Sequence, residues 1–393
     1  MDDRAMSHPA HASSGPWWTP GGEPGHRLFL DIGELELEFG GRLPAVRLAY
    51  ETWGTLNAAG DNAILVEHAL TGDSHVVGPA GPGHPSPGWW DGLIGPGHPI
   101  DTRQWFVVAA NVVGGCRGST GPSTVAADGR PWGSRFPFVS IRDQVAAEVA
   151  LSDALGVRQW AMVIGGSMGG MRVLEWAVGQ PDRVDQAMVL ATTAAATADQ
   201  TAWAQPQLLA IRHDPDFAGG DYYEAGAGPV TGLGIARRIA HTTYRSSLEL
   251  DVRFGRQAQE GELPLGGGGR YAVESYLDHH ALKLGRRFDA NSYLVLTEAM
   301  NSHDVGRGRG GVAAALSRIR GHVTVAGVDS DRLYPLRESQ QIAQLVPSAR
   351  FVTIHSDHGH DGFLIEVGQV GRIVGEALAD HIRGGPRAGS RIR

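Results

Sequence analysis

The sequence predicts an α/β fold in which a mostly parallel sheet is flanked by helices and interrupted by a helical lid insertion. Continuous apolar runs of strand length recur along the chain, which is typical of strands buried on both faces of a parallel sheet. Amphipathic helical stretches separate these runs. Between about residues 196 and 303 this alternation stops, and only helical spacing is found.

The composition is that of a folded protein with a small-molecule partner. Hydrophobic residues make up 42% of the 393 residues and charged residues 19%, so intrinsic disorder is excluded as a description. The net charge of -8 provides no basic field for nucleic acid or for an anionic membrane surface. The single cysteine, Cys116, rules out an internal disulfide and permits a reducing compartment.

The chain begins with a segment that we interpret as a flexible arm, residues 1–25. It contains no apolar run that could act as a signal peptide or a membrane anchor, so we expect no membrane association and a cytoplasmic location. Two stretches of period-two alternation, residues 35–39 and 46–51, then predict an antiparallel hairpin. The α/β core is expected to comprise residues 26–195 and 304–393.

The remaining elements follow from apolar runs and helical stripes. Buried strands are predicted at residues 63–66, 105–110, 160–164, 186–190, 322–328 and 350–355. Helices are predicted at residues 140–155, 171–178, 312–319, 338–345 and 363–382. Residues 196–303 are expected to form the helical lid domain.

The turn at residues 165–170 is the strongest catalytic signal. Its sequence, Gly-Gly-Ser-Met-Gly-Gly, contains the pattern G-x-S-x-G. The pattern follows a predicted strand directly and opens a predicted helix, which is the setting that a nucleophile elbow requires. A purely structural glycine turn is the alternative, and we favour Ser167 as a nucleophile.

An activated serine needs a histidine to accept its proton and a carboxylate to orient that histidine. In this kind of fold the chain order is serine, acid, histidine. The loop after strand 322–328 offers Asp329 and Asp331, and we favour Asp331. The next loop offers three histidines: His355, His358 and His360.

Among these histidines we favour His360, because Gly359 gives it a flexible approach and an apolar helix follows. The clustered histidines are also compatible with a metal site. The neighbouring predicted strands offer no further ligand set, so we predict no metal.

A tetrahedral oxyanion needs two backbone N–H donors. We expect one from Met168, the residue after the nucleophile, and one near Leu70, in the loop after the first buried strand. A glycine-rich segment, residues 111–123, is predicted to shape a loop beside the site. Cys116 lies next to Arg117 within it, and without an identified base we interpret this cysteine as structural.

These segments together resemble the homoserine O-acetyltransferases of the α/β-hydrolase superfamily, from about residue 28 to residue 380. The resemblance depends on residues 68–75, 111–123, 165–176, 286–294, 303–308, 329–331 and 359–364. The sequence departs from the family pattern at Glu67, Arg172 and Gly362, where a small residue, Gln and Ala are usual.

The resemblance implies acetyl transfer from acetyl-CoA, as co-substrate, to L-homoserine in a cytoplasmic homodimer that acts in methionine biosynthesis. No metal or other cofactor is implied. The implied catalytic residues are Ser167, Asp331 and His360. The resemblance further implies that Arg237 binds the substrate carboxylate, that Tyr244 lies nearby, and that Asp361 faces the amino group.

Other functions stay open from the sequence alone. Water could take the acetyl group, which would make the protein an esterase, although a lid favours transfer because it excludes water. Succinyl-CoA could replace acetyl-CoA as the donor, or serine could replace homoserine as the acceptor. A catalytically inactive ligand receptor is a further alternative, and the complete set of candidate catalytic residues argues against it.

Overall fold

The structure, a computed structural model, describes residues 15–225, 228–347 and 349–384. Eight strands form its central sheet: β1 (Leu28–Glu36), β2 (Arg42–Trp53), β3 (Ala63–Glu67), β4 (Phe106–Ala110), β5 (Trp160–Gly166), β6 (Val184–Leu190), β7 (His322–Val328) and β8 (Arg350–Ile354). Their order across the sheet is β1-β2-β4-β3-β5-β6-β7-β8. The pairs β1/β2 and β2/β4 are antiparallel, and the other neighbouring strands are parallel. The predicted α/β-hydrolase architecture, a mostly parallel sheet flanked by helices, is therefore confirmed.

The opening hairpin differs from its prediction. The first strand was expected at residues 35–39, but β1 ends at Glu36 and the chain turns over the next residues. Gly40 and Gly41 have φ values of 87° and 82°, and the Gly40 N–H donates to Leu37 O at 2.9 Å. Apolar alternation that continues into this turn made the turn look like a strand.

Both faces of the parallel strands are covered, as the apolar runs predict. In β3, Ala63 and Leu65 belong to one apolar core, whereas Ile64 and Val66 belong to another. The first core contains side chains of α1 (Ile141–Ala154), α2 (Met168–Gly179) and α9 (Leu336–Leu345). The second contains side chains of α11 (Val367–Gly384). The helices therefore form a layer on each side of the sheet.

The insertion between β6 and β7 consists mainly of helices: α3 (Ala198–Arg212), α4 (Val230–Tyr244), α5 (Ser247–Phe254), α6 (Ala272–Gly285) and α7 (Ala290–Asn301). Its two ends lie side by side, because Ala195 and Asp304 form an antiparallel bridge. The short α8 (Val312–Leu316) then leads back to β7. An apolar cluster packs the lid onto the elbow through Met168 and Met171.

Three other predictions are corrected. The predicted helix 363–382 is broken at Glu366, with α10 (Gly362–Ile365) before the break and α11 after it. The predicted helix 312–319 is shorter, and α2 begins at residue 168 rather than 171. In the expected arm, residues 1–14 lie outside the described residues; of the others, Trp17 is 7% exposed, whereas Pro20, Glu23 and Pro24 are exposed. No described helix combines the length and apolar character that crossing a bilayer requires.

Candidate active site

Ser167 lies at the turn between β5 and α2, as the elbow prediction expects. Its φ of 58° and ψ of -124° place a side chain where L-residues are rare. The turn is packed too closely for larger neighbours. A Cβ atom on Gly169 would lie 2.2 Å from Glu67 O, and one on Gly165 would lie 2.7 Å from Glu67 Cβ. The glycines are therefore required by close backbone approach.

Asp331 and His360 are brought together at the carboxyl ends of β7 and β8. Asp331 Oδ2 lies 2.6 Å from His360 Nδ1, and both side chains are buried. Asp331 Oδ1 accepts hydrogen bonds from the N–H groups of Leu333 and Tyr334 at 2.8 and 2.9 Å. The carboxylate is therefore fixed through one oxygen and available to the imidazole through the other.

The state of His360 follows from its surroundings. Burial lowers the pKa of His360, but the negative charge of Asp331 and its hydrogen bond outweigh burial, so the pKa is raised. With Nδ1 donating to Asp331, the neutral ring presents Nε2 as an acceptor. Nε2 is buried and has no hydrogen-bond partner among the described residues. It is therefore available to a proton from Ser167, which lines the same cavity.

The alternative acid and histidines lie in separate pairs. His355 Nδ1 is 2.7 Å from Asp329 Oδ2, on exposed side chains. His358 Nδ1 lies 3.3 Å from Glu249 Oε1. Because each of the three histidines faces a different carboxylate, their ring nitrogens do not converge on one point.

Ser167 and His360 line a common cavity of about 180 Å³. Its lining also includes all three residues that the resemblance assigns to substrate binding: Arg237, Tyr244 and Asp361. The Nε and Nη1 atoms of Arg237 are buried and have no hydrogen-bond partner in the described part of the chain. The guanidinium carbon of Arg237 lies 5.3 Å from the centre of the Tyr244 ring. An unpartnered buried cation is costly, so this position favours an anionic ligand.

Asp361 has a partner that the sequence reasoning did not name. Its Oδ2 lies 3.2 Å from Arg245 Nη2. Burial raises the pKa of Asp361, although the charges of Arg245 and His360 act in the opposite direction. The carboxylate at the cavity wall is therefore already one half of an ion pair.

The two expected oxyanion donors are placed on neighbouring segments. Met168 is the first residue of α2, and Leu70 lies in the loop after β3, at the cavity wall. Within residues 15–225, 228–347 and 349–384, neither N–H donates to a protein acceptor. Both groups can therefore donate to a ligand oxygen.

Two further residues beside the candidate catalytic residues were not predicted individually. The Tyr334 ring stacks on His360 with centroids 5.0 Å apart. Arg287 lines the cavity and donates from Nη1 to Thr71 O at 2.8 Å. Burial, followed by the charge of Arg237, lowers the pKa of Arg287 to about 10, so it stays charged near neutral pH. A signal existed for Arg287, because it lies within the segment 286–294 that carries the resemblance.

Cys116 is buried, and burial raises the pKa of its thiol to about 11. The thiol therefore stays protonated at neutral pH, which agrees with a structural role. Asp289 N donates to its sulfur at 3.5 Å.

A second buried cluster, formed by Glu51, His75 and His84, was not anticipated. One potential ligand atom from each residue lies within 4.8 Å of the others. These atoms already have protein partners. His75 Nδ1 lies 3.0 Å from Glu51 Oε2, and His84 Nε2 accepts from the His26 N–H at 2.9 Å. The cluster is thus satisfied by hydrogen bonds that a metal ion would have to break.

Comparisons with known proteins agree with this geometry. A family model described as alpha/beta hydrolase fold matches residues 62–367. The homoserine O-acetyltransferase of Thermobifida fusca is 63% identical over 92% of this chain and 96% of its own length. The solved homoserine O-acetyltransferase of Bacillus anthracis has a TM-score of 0.83 at 27% identity, covering 90% of this chain and 97% of its own.

The fold is also shared with hydrolases. The solved esterase E22 has a TM-score of 0.82 at 26% identity, covering 90% of this chain and 99% of its own. Backbone similarity therefore does not separate transferase from esterase, whereas sequence identity does. On that identity, the chain belongs to the homoserine O-acetyltransferase family of acyltransferases, within the α/β-hydrolase fold.

Proposed function

We propose that this protein transfers an acetyl group from acetyl-CoA to the side-chain hydroxyl of L-homoserine, a step towards methionine. The observation that carries the choice of acceptor is Arg237. Its unpartnered guanidinium atoms are buried in the cavity that holds Ser167 and His360. A planar guanidinium binds a carboxylate through two parallel hydrogen bonds, so it suits the α-carboxylate of an amino acid.

The first half-reaction loads Ser167. Its Oγ attacks the thioester carbon of acetyl-CoA while His360 Nε2 takes the hydroxyl proton. The C–S bond then breaks, His360 returns the proton to the sulfur, and free coenzyme A leaves. The Leu70 and Met168 N–H groups stabilise the intervening oxyanion. These steps use no metal or redox cofactor.

The second half-reaction repeats these roles with a different nucleophile. His360 takes the proton of the homoserine hydroxyl, whose oxygen attacks the acetyl carbon on Ser167. The bond to Ser167 Oγ breaks, the proton passes to that oxygen, and O-acetylhomoserine leaves. Arg237 holds the carboxylate, Tyr244 packs beside it, and Asp361 faces the ammonium group.

The proposal includes a homodimer in the cytoplasm. Exposed apolar side chains on two lid helices support a second copy of the chain as the partner. Leu248 and Val252 on α5 are 54% and 79% exposed, and Leu282 on α6 is 57% exposed. Leu248 and Val252 are four residues apart, so they share one helix face.

An esterase is the second candidate, because a solved esterase matches the fold almost as well as a solved transferase. In that case water rather than homoserine would attack the acetyl group on Ser167. Succinyl-CoA as the donor and serine as the acceptor are variations on the proposed chemistry.

One experiment separates these alternatives. The purified protein is mixed with acetyl-CoA alone, and intact-protein mass spectrometry follows it. We expect the mass of one acetyl group to appear on the wild type and not on Ser167→Ala. Homoserine, serine or water is then supplied, and the products are identified. Succinyl-CoA serves as the competing donor. A wild type that never gains an acyl mass, or one that gives only acetate when homoserine is present, would contradict the proposal.

A further inference from the structure

Arg172 is a charged residue in a fully buried position. It lies on α2 and is 0% exposed, where an isolated cation would be strongly unfavourable. Two carboxylates face it. Arg172 Nη1 lies 2.5 Å from Glu67 Oε2 and 2.6 Å from Glu148 Oε1. Its Nη2 donates to the backbone oxygen of His68 at 2.6 Å. One guanidinium therefore joins three different segments of the chain.

The segments joined are those that carry the two oxyanion donors. Arg172 is one helical turn after Met168 on α2. Glu67 ends β3, and His68 begins the loop that presents Leu70. The elbow already contacts this strand end closely, since a Cβ on Gly169 would meet Glu67 O. A shift of the loop relative to α2 would break the contact between Arg172 and His68 O.

The side chain of His68 makes further contacts that restrain the same loop. Its Nε2 accepts from the Val112 N–H at 3.2 Å, and its Nδ1 lies 2.8 Å from Ala69 O. Burial, followed by the positive charge of Arg172, lowers the pKa of His68 to about 3. The ring is therefore neutral, with one donor and one acceptor nitrogen, and both are used. Ala69 O also accepts from the Gly72 N–H at 2.9 Å, which fixes the peptide before Leu70.

The other end of the cluster is anchored in α1. Glu148 Oε2 accepts from Trp176 Nε1 at 3.0 Å, so this carboxylate is held by two residues of α2. Glu67 is held differently. It approaches Arg172 as an ion pair, but its oxygens accept no aligned hydrogen bond within the described residues. Burial raises its pKa well above the ordinary range, although Arg172 opposes this effect.

We propose that Arg172 is a positioning residue of the oxyanion hole, which sets the separation of the Leu70 and Met168 N–H groups by bracing the β3 loop against the elbow helix. This inference rests on the proposed acyl-transfer function. Arg172 touches no reacting atom, so its loss acts on the transition state through the loop. Glu67 and Glu148 make its buried charge tolerable, and the contact with His68 O is the part that matters for catalysis.

The test compares Arg172→Met with a charge-compensated triple variant, Glu67→Gln/Glu148→Gln/Arg172→Met. The single variant leaves buried carboxylates without their cation and can fail to fold. The triple variant removes the charges together, which is often neutral for stability. Arg142→Met is the matched control, because Arg142 also joins two carboxylates, Glu38 and Glu175, within a partly buried network.

The readout is single-turnover release of p-nitrophenolate from p-nitrophenyl acetate, which reports attack by Ser167 without any need for coenzyme A. We expect the folded triple variant to acylate about 10²-fold more slowly, as when one oxyanion donor is lost. Its affinity for an alkylboronic acid, which forms a tetrahedral adduct on serine, should fall by a similar factor. The KM for acetyl-CoA and the pH profile should change little, and Arg142→Met should react like the wild type.

Each result decides the question. A triple variant with the wild-type melting temperature and the wild-type acylation rate would overturn the positioning role. An equal loss of acylation rate in Arg142→Met and in the triple variant would assign the effect to general stability. It would also overturn the positioning role of Arg172. If the wild type itself is never acylated, the proposed function fails rather than this inference alone. If the wild type is acylated but delivers acetyl to another acceptor, only the proposed acceptor is wrong, and the acylation rate of the triple variant still decides the positioning role.

Discussion

Ser167 combines the hydroxyl proposed as the nucleophile with an unfavourable backbone conformation. Its φ of 58° is positive, which crowds the Cβ atom of any residue other than glycine. Strain of this kind costs about 1–3 kcal/mol and is usually found at functional sites. The surrounding glycines make the turn possible, but they do not remove the strain on Ser167 itself.

Two substitutions at Ser167 should separate strain from chemistry. Ser167→Gly and Ser167→Ala both remove the hydroxyl, so neither should gain an acetyl group from acetyl-CoA. Only glycine relieves the crowding at positive φ, and we expect its free energy of unfolding to exceed that of the alanine variant by about 1 kcal/mol. Urea denaturation measures this difference. An alanine variant at least as stable as the glycine variant would show that the turn is not strained.

Asp331 controls both the orientation and the pKa of His360. We expect Asp331→Asn to lower the acylation rate by up to about 10⁴-fold, because the imidazole loses the partner that selects its tautomer. Asp329→Asn is the matched control, since Asp329 pairs with the exposed His355. It should retain nearly the wild-type rate. Equal losses in the two variants would reverse the assignment of the acid.

The pH profile gives a second readout of the same pair. His360 accepts a proton only when it is neutral, so the acylation rate should rise with pH through the pKa of His360. Because the Asp331 charge outweighs burial and raises this pKa, the rise should be centred above 6.5 in the wild type. The residual activity of Asp331→Asn should rise at a lower pH than that of the wild type. The charge that raises the pKa of His360 is removed in this variant, whereas burial still lowers that pKa. A variant whose profile does not move would contradict this coupling.

Arg237 is expected to act in the second half-reaction only. Arg237→Lys keeps the positive charge but loses the planar pair of donors. Binding of the remote carboxylate positions the homoserine hydroxyl, so transfer to homoserine should slow and more acetyl should be lost to water. Formation of acetyl-Ser167 should stay near the wild-type rate. Rapid-quench mass spectrometry resolves the two steps, and an equal loss in both would assign Arg237 to the fold or to the coenzyme A site.

At the scale of elements, the lid carries the residues proposed to bind substrate, and the core carries the proposed catalytic residues. Arg237 and Tyr244 lie on α4, whereas Ser167, Asp331 and His360 follow the ends of core strands. This division follows from topology, because the carboxyl ends of parallel strands share one edge and the insertion after β6 covers that edge. We therefore expect water exclusion and acceptor choice both to depend on the inserted helices.

The lid surface leads to a prediction about assembly. If α5 and α6 form the dimer contact, Val252→Glu should place a charge in an apolar interface and shift the protein towards monomer. Light scattering over a range of concentrations measures this shift. Val125→Glu is the control, because Val125 is also exposed, at 56%, but lies outside the lid. A dimer unaffected by Val252→Glu, or a wild-type monomer at all concentrations, would contradict the prediction.

The local pattern of apolar and polar residues predicted much of the fold, because the positions of buried strands and amphipathic helices depend on residues that are close in sequence. The predicted strand 322–328 coincides with β7, and the strands at 63–66 and 160–164 extend by only one or two residues. The antiparallel hairpin was predicted correctly, but the bounds of its first strand were wrong, because alternation does not distinguish a strand from the turn that follows it. Glycines with positive φ ended the strand, and their conformation is a property of the folded chain.

The site was predictable in its parts and not in its contacts. Motif and chain order selected Ser167, Asp331 and His360, and their catalytic roles stay predictions for experiment. The contact between Arg172 and Glu67 was not foreseen, although both had been noted as departures from the family pattern. These residues are far apart in sequence, and no periodicity reports which buried charges meet. The stacking of Tyr334 on His360 was missed for the same reason.

At the scale of the whole molecule, several histidines are buried in their neutral form. His68, His241 and His303 are at most 3% exposed, and burial, followed by nearby arginine charges, lowers their pKa values to about 3, 2 and 3. An unfolded chain returns each of them to about 6.5. Below pH 6.5 the unfolded state therefore binds more protons at these histidines than the folded state does. Their contribution to the free energy of unfolding falls as pH falls.

Buried carboxyl groups oppose this trend. Burial raises the pKa values of Glu67 and Asp289, so between the unfolded value of about 4 and the raised folded value the folded state binds more protons at these groups than the unfolded state does. The net slope of stability against pH thus combines opposite contributions. A comparison of two proteins that differ at one histidine cancels the carboxyl groups and isolates that histidine.

His303 is suited to this comparison because it lies at the lid boundary and outside the catalytic cavity. Its neutral ring contributes no pH dependence above 6.5, and it should destabilise the folded state by about 1.4 kcal/mol for each pH unit below that value, down to about pH 3. We therefore expect the wild type to lose about 1.4 kcal/mol more unfolding free energy than His303→Asn between pH 7.5 and 5.5. Urea denaturation at the two pH values measures both losses. Equal losses would show that His303 accepts a proton in the folded protein, which would require the lid boundary to open to water.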